Sequence, residues 1–223
     1  MTITAPTRDT RLGPAATAAL RTLIVTVLAG GVSGLVAGGI LGRLGMRLLA
    51  VTSPTIAQGR LTDDAARVGQ FTLGGSLGLA LALAVTGAFL APTYLLVRRV
   101  LPAARTRRVA GSALITGAVG GALLVHDHPS FDYSILQPTW LAVLLFVAVP
   151  ATYGALLAYL VESLARPDPP RFPGPVSRLW HGRIVTDIGT VAYWAVVGWG
   201  VYNVGADVIS LASDTASGAP WTI

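Results

Sequence analysis

Two arginines in the segment GRLGMR, Arg43 and Arg47, have the side chains of this sequence best suited to bind an anion. They are four residues apart, so a helix through this segment projects both from one face. A guanidinium group offers a planar fork of N–H donors that matches a phosphate or a carboxylate. The spacing therefore predicts a pocket for an anionic group such as a lipid phosphate. The simpler interpretation, which we favour, is that both arginines reach lipid headgroups or form structural ion pairs.

Three aspartates are candidate partners for these arginines. Asp63 and Asp64 in the motif LTDD are the nearest acids in the sequence, and Asp207 is expected on the same side of the bilayer. They could line the same anionic-ligand pocket or form ion pairs with the two arginines. Alternatively, Thr62 caps the helix that follows, and the two aspartates beside it lie at the positive end of that helix dipole.

The segment HDHPSFD contains three metal-capable side chains, His126, His128 and Asp132. Three nitrogen and oxygen ligands with an open position would suit zinc or copper. The segment is equally well explained as turn-forming loop chemistry. The chain contains no cysteine, which excludes thiol catalysis and cysteine-ligated metals. We therefore predict no metal and no other cofactor.

Two serine motifs resemble those of hydrolases. Residues 74–78, GGSLG, match the pattern G-x-S-x-G without the strand, turn and helix that expose a nucleophile. Residues 31–34, GVSG, resemble the serine motif of rhomboid intramembrane proteases. That family pairs the serine with a histidine on another span, whereas all three histidines here lie outside the predicted spans. We therefore predict no catalytic residue.

The elements that position these residues are predicted to be transmembrane helices. The chain of 223 residues is 53% hydrophobic and only 12% charged, against about 25% charged residues in a soluble domain. Its apolar residues form long blocks without the alternation of barrel strands, and lipid requires internally bonded backbone. We predict an all-α, polytopic transmembrane helix bundle within residues 20–210, with five spans at about 20–41, 71–97, 109–125, 140–160 and 188–209.

The segments outside the spans, together with the arginines, predict the orientation. Residues 1–19 are predicted to form a flexible cytoplasmic tail, 166–175 a stiff proline-rich connector, and 211–223 an extracytoplasmic tail. With five spans, twelve of the sixteen arginines lie on one side and four on the other. The positive-inside rule then predicts a cytoplasmic N-terminus and an extracytoplasmic C-terminus. The excess positive charge indicates contact with anionic headgroups and not with nucleic acid.

Glycines recur every four residues along the first predicted span. This spacing predicts one ridge on which a neighbouring helix can approach closely. Ordinary tight packing explains it better than a pore-lining surface, and a homo-oligomer is permitted but not implied. The ridge consists of Gly30, Gly34, Gly38 and Gly42.

Two parts of the chain resemble known sequences. The segments GRLGMRLLAVTSP, GRLTDD and GQFTLGG, followed by FDYSILQPTWLAVLLFVAVPATYGALLAYLVE, resemble uncharacterised multi-span membrane proteins of the high-GC, actinobacterial type. The resemblance implies a bacterial plasma membrane. It carries no assigned activity, so it implies no role for any residue.

These observations predict an integral membrane protein without enzymatic activity. We expect it to bind a partner or a lipid, as an accessory subunit of a membrane complex. The alternative is a small transporter or lipid-handling protein with the outward-facing arginine pocket. A membrane enzyme is disfavoured because buried acid–base pairs are missing from the predicted spans.

Overall fold

Helices joined by short turns make up the part of the chain that its computed structural model describes, namely residues 14–53, 73–125, 138–164 and 183–217. This confirms the predicted all-α class. The elements in chain order are α1 (Pro14–Gly34), a π-helix (Leu35–Leu41), α2 (Gly42–Thr52), α3 (Leu73–Leu90), α4 (Pro92–Val97), α5 (Arg105–Leu124), α6 (Thr139–Leu164) and α7 (Arg183–Ser217).

Four helical stretches are long and apolar enough to cross a membrane, which makes the chain a multi-pass membrane protein. A fifth helix, α5, begins with three arginines within four residues, so its apolar part is shorter. It nevertheless packs along both α6 and α7. The result is an all-α bundle of about five spans, as predicted. The four stretches are Ala16–Thr52, Leu73–Val97, Thr139–Leu164 and Asp187–Ser213.

The first helical stretch is longer than a bilayer requires. Its 37 residues, Ala16–Thr52, extend about 55 Å, whereas the hydrocarbon core is about 30 Å thick. Because α1, the π-helix and α2 follow one another without a break, α2 projects beyond the predicted span of residues 20–41. The seven-residue π-helix is a departure from regular α-helix that the sequence pattern did not indicate.

Proline divides the second stretch. Pro92 has no N–H to donate to the preceding turn, so α3 ends at Leu90 and α4 begins at Pro92 itself, the position in a helix where proline is best tolerated. Pro150, by contrast, lies inside α6, which continues through it.

Close approaches between helices establish the direction of each one. Gly30 of α1 lies against Ala91, whereas Gly39 of the π-helix lies against Ala80, so α1 and α3 are antiparallel. Gly34 faces the backbone of α3 so closely that a Cβ atom there would collide with the carbonyl oxygen of Leu83. The α1–α3 contact therefore depends on the absence of a side chain at that position.

The remaining helices also alternate in direction along the chain, so that α5 and α7, which are neighbours in the bundle, are parallel. Gly154 of α6 lies against Ser112, near the start of α5, and this makes α5 and α6 antiparallel. The Tyr193 hydroxyl of α7 donates to the Gly111 carbonyl oxygen at 2.8 Å, and Gly200 lies against Ala118. The helices that contact one another most extensively lie side by side in the order α3, α1, α6, α5, α7.

These directions define two ends of the bundle. At the end that we call the arginine end, α1, α5 and α7 begin, while α4 and α6 finish. At the opposite end, α2, α5, α6 and α7 meet in a small buried cluster formed by Leu49, Val125, Ala142 and Leu211. Pro14 and Ser217 therefore lie at opposite ends, the arrangement that five crossings require.

Candidate functional site

The most tightly connected polar group in the described residues surrounds Glu162, in the last turn of α6 at the arginine end. Arg98 Nε lies 2.5 Å from Glu162 Oε1, and Arg108 Nη1 lies 2.9 Å from Oε2. The Tyr94 hydroxyl donates to Oε1 at 3.0 Å. The carboxylate side chain is only 9% exposed. One carboxylate thus joins the end of α4, the start of α5 and the end of α6.

Local sequence explains why two arginines ten residues apart reach the same carboxylate. Arg98 follows α4 directly, and its N–H bonds to the Tyr94 carbonyl oxygen at 2.7 Å, which extends the helical turn. In the connection that follows, Leu101 is buried against α5 and α7. This buried leucine holds the connection against the bundle, so that Arg108, in the first turn of α5, faces Glu162 from the other side.

The cluster carries a net positive charge because two guanidinium groups share one carboxylate. Both oxygens of Glu162 are already occupied by arginine and tyrosine donors. A carboxylate held in this way is poorly placed to act as a general base, since its lone pairs are engaged. The arrangement can fix the ends of three helices and present positive charge at the bundle surface.

A further arginine, Arg105, lies beside this cluster and has neutral partners among the described residues. Its Nη2 donates to the Ser163 hydroxyl, which in turn donates to the Tyr159 carbonyl oxygen at 2.5 Å. The Arg105 guanidinium carbon lies 4.4 Å from the centroid of the Tyr159 ring, within cation–π range. Arg105 is exposed, so its guanidinium is held in position while its charge remains accessible.

An apolar groove of about 420 Å³ lies between α5 and α6. The Thr152 hydroxyl in its wall donates to the Ala148 carbonyl oxygen at 2.7 Å, so it is already satisfied within α6. The groove ends at Tyr159, the ring that Arg105 covers. Its lining consists of Val109, Ala113, Ala151, Thr152, Ala155, Leu156 and Tyr159.

The arginines that the sequence singled out lie toward the opposite end. Arg43 is half-buried, and its Nη2 donates to the Gly75 carbonyl oxygen of α3 at 2.5 Å. Arg47, one turn further along α2, is exposed, and Asp207 is half-buried on α7. This bond of Arg43 is to backbone, and the anionic pocket at this end stays a prediction.

Several predicted site residues lie outside the described residues. These are the acidic pair Asp63 and Asp64 and the candidate metal ligands His126, His128 and Asp132. Within the described ranges, no three histidine, aspartate or glutamate side chains come together as a metal site would require. The proline-rich connector 166–175 also lies outside these ranges.

The serine of the GVSG motif is accounted for by its surroundings. Ser33 is fully buried, and its hydroxyl donates to the Ala29 carbonyl oxygen of the preceding turn at 2.7 Å. Buried serines commonly satisfy their hydroxyl in this way within a helix. The hydroxyl is therefore engaged in α1.

Sequence reasoning missed Glu162, although the sequence contains a signal for it. It is the only acid between Asp132 and Asp168, and it lies at the end of a long apolar helix. An ionisable residue within a transmembrane helix is a candidate site by default because its burial is unfavourable unless it is paired. Its partners, however, could not be deduced, because many arginines were predicted on the same side.

Comparison of the chain with protein-family models, with curated proteins and with solved structures gives no match.

Proposed function

We propose that this protein is a non-enzymatic integral membrane protein that binds anionic lipids at the arginine end. The observation that carries the proposal is the gathering of arginines there, with Glu162 pairing two of them. Basic residues near a membrane surface contribute about 1 kcal/mol each to the attraction of anionic lipids. The arginines of the α4–α5 region are Arg98, Arg99, Arg105, Arg107 and Arg108.

The proposal includes an orientation and a membrane. The arginine end faces the cytoplasm, in accordance with the positive-inside rule, and the membrane is a bacterial plasma membrane. The cytoplasmic leaflet carries the anionic lipids that an arginine-rich surface attracts. The predicted excess of arginine on this side supports the orientation.

Lipid enrichment provides the test. The full chain is reconstituted in nanodiscs with equal amounts of phosphatidylglycerol and phosphatidylcholine of the same chains, and native mass spectrometry counts the retained lipids. We expect phosphatidylglycerol to be retained at least about fivefold more, and the preference to fall as salt is raised. Equal retention of the two lipids at low salt would contradict the proposal.

Paired variants show which end is responsible. R99Q/R105Q removes two exposed charges at the arginine end, and R43Q/R47Q removes two charges toward the opposite end. We expect only the first variant to lower the enrichment. The reverse outcome would favour the alternative function, a transporter or lipid-handling protein with an outward-facing pocket around Arg43 and Arg47.

A second candidate function, an accessory subunit that binds a partner helix, is favoured by the surface of α7. The side chains of Trp194, Trp199 and Tyr202 are at least half exposed, and a Cβ atom at Gly198 or Gly205 would meet no other atom within 4 Å. Open glycines permit close approach of another helix. Native purification tests this function: a stoichiometric partner that G198L/G205L removes would support it, and purification without such a partner would contradict it.

A further inference from the structure

We infer that the groove between α5 and α6 is a binding site for one phospholipid, with an acyl chain in the groove and the phosphate on Arg105. This inference rests on the proposed function, because it assigns a site and a ligand class to the lipid binding at the arginine end. It follows from three features of the described residues: the direction of the groove, the chemistry of its wall, and the charge where it ends.

The groove has the direction of a lipid chain. On α5, Arg105, Val109 and Ala113 follow one another at four-residue intervals and so lie on one ridge. On α6, Tyr159 and Ala151 bound the groove, eight residues and about 12 Å apart. Because both ridges run along their helices, the groove extends from the arginine end toward the middle of the bundle.

The wall of the groove is suited to hydrocarbon. Its side chains are aliphatic or aromatic except for Thr152, whose hydroxyl is used within its own helix. The groove has a volume of about 420 Å³ and is largely open at the surface of the bundle. In a membrane, the molecules next to such a wall are acyl chains, and a water molecule there would lack hydrogen-bond partners.

The end of the groove is suited to a phosphate. Among the described residues, Arg105 uses its guanidinium on the Ser163 hydroxyl and the Tyr159 ring, neither of which neutralises it. A guanidinium group has five N–H donors, so several remain to bind phosphate oxygens. The tyrosine and serine contacts restrict the arginine side chain before the lipid arrives, which lowers the entropy lost on binding. Charge complementarity therefore selects an anionic lipid over a neutral one.

Parts of the other faces of both helices are occupied by contacts with neighbouring helices. Gly111 and Ala118 of α5 face α7, and Leu157, Ala158 and Val161 of α6 pack against α1 and α4. Arg107 follows Arg105 by two residues on α5. It lies one turn before Gly111 and therefore on the side of α5 that faces α7. Arg107 has the same charge as Arg105 and is likewise exposed, but it lies on a different face of α5, so it provides a matched control.

The experiment measures binding of dioleoyl phosphatidylglycerol to the full chain in detergent by native mass spectrometry. For R105Q we expect about tenfold weaker binding of the most tightly held lipid, equal to about 1.4 kcal/mol, and for R107Q less than a twofold change. R105K should give an intermediate loss, because lysine keeps the charge but not the fork. Equal losses in R105Q and R107Q would overturn the site while leaving the proposed function intact.

A second pair of variants tests the acyl-chain part without changing any charge. A155L places a larger side chain in the groove, whereas A110L enlarges an exposed residue of α5 that does not line it. We expect A155L to weaken phosphatidylglycerol binding about tenfold and A110L to leave it unchanged, with helix content compared by circular dichroism. Unchanged binding in a folded A155L would overturn the groove as the chain site.

Competing molecules distinguish a lipid from free phosphate. Glycerol phosphate, which has the phosphate and no acyl chain, should fail to displace the lipid at a hundredfold excess. Phosphatidylcholine with the same chains should bind about tenfold more weakly than phosphatidylglycerol. Displacement by glycerol phosphate would overturn the groove assignment. Failure of the wild-type chain to prefer any anionic lipid would instead remove the proposed function together with the site.

Discussion

Removal of the Glu162 carboxylate is the sharpest test of how the arginine end is held together. In E162Q the side chain keeps its size but loses its charge, so Arg98 and Arg108 lose their shared counter-ion. Both arginines bond to the same oxygen, Oε2, at 3.1 and 2.9 Å, which places their bonding nitrogens no more than about 6 Å apart. The two guanidinium groups would then repel one another directly.

The size of the effect can be worked out from these distances. At an effective dielectric constant of 20, each ion pair at about 4 Å is worth about 4 kcal/mol, and repulsion between two cations at 6 Å is about 3 kcal/mol. Part of this is offset because the carboxylate no longer has to be desolvated and the arginines, 12% and 20% exposed, can turn outward. Breaking a buried pair by removing one partner destabilises proteins by about 3–5 kcal/mol. We expect E162Q to lower the free energy of unfolding by about 3 kcal/mol.

The assay is unfolding of the reconstituted chain in mixed micelles by titration with sodium dodecyl sulfate, followed by circular dichroism. The matched control is D187N, which removes an exposed acid from α7 near the same end and should change the free energy of unfolding by less than about 0.5 kcal/mol. E162Q/R108Q should destabilise less than the sum of its single variants, because the repulsion is removed. If E162Q changed the free energy of unfolding as little as D187N does, the reasoning would be refuted.

Three further predictions concern packing and topology. G34L should lower the free energy of unfolding by at least about 2 kcal/mol in the same titration, because the new side chain would meet the α3 backbone. G78L, which has open space around it, should not destabilise the chain. Similar losses of stability in the two variants would contradict this prediction. Y153F should lower the free energy of unfolding by about 0.6–1 kcal/mol, because the Tyr153 hydroxyl donates to an α3 carbonyl oxygen at 2.7 Å. An unchanged midpoint of the unfolding titration would argue against that bond. Since the chain has no cysteine, R107C and S213C can be labelled singly with an impermeant maleimide in intact cells. Labelling of S213C alone is expected, and labelling of both would contradict the five-helix order.

Some parts of this architecture follow from local sequence because their causes are local. A helix satisfies its own backbone hydrogen bonds, so long apolar blocks in lipid are sufficient to predict helices. The break before Pro92 has an equally local origin in the missing N–H of proline. Neither inference needs any knowledge of which helices are neighbours.

The candidate site depended on contacts between distant residues. Glu162 lies more than fifty residues from Arg98 and Arg108, and several predicted arginines could have been its partner. The four-residue spacing of Arg43 and Arg47 instead predicted a site toward the opposite end of the bundle. Regular spacing identifies residues that share a face, but it carries no information on what that face contacts.

The sequence alone determined that this chain is a multi-pass helical protein of the membrane, because hydrophobicity and backbone hydrogen bonding act residue by residue. Only the tertiary structure decided the order of the helices, the π-helix at Leu35–Leu41, and the groove that ends at Tyr159. These features arise where side chains of different helices meet, and such meetings depend on shape and on pairing of charges across the bundle. Lipid surrounds all the helices alike, so hydrophobicity by itself cannot select one neighbour over another.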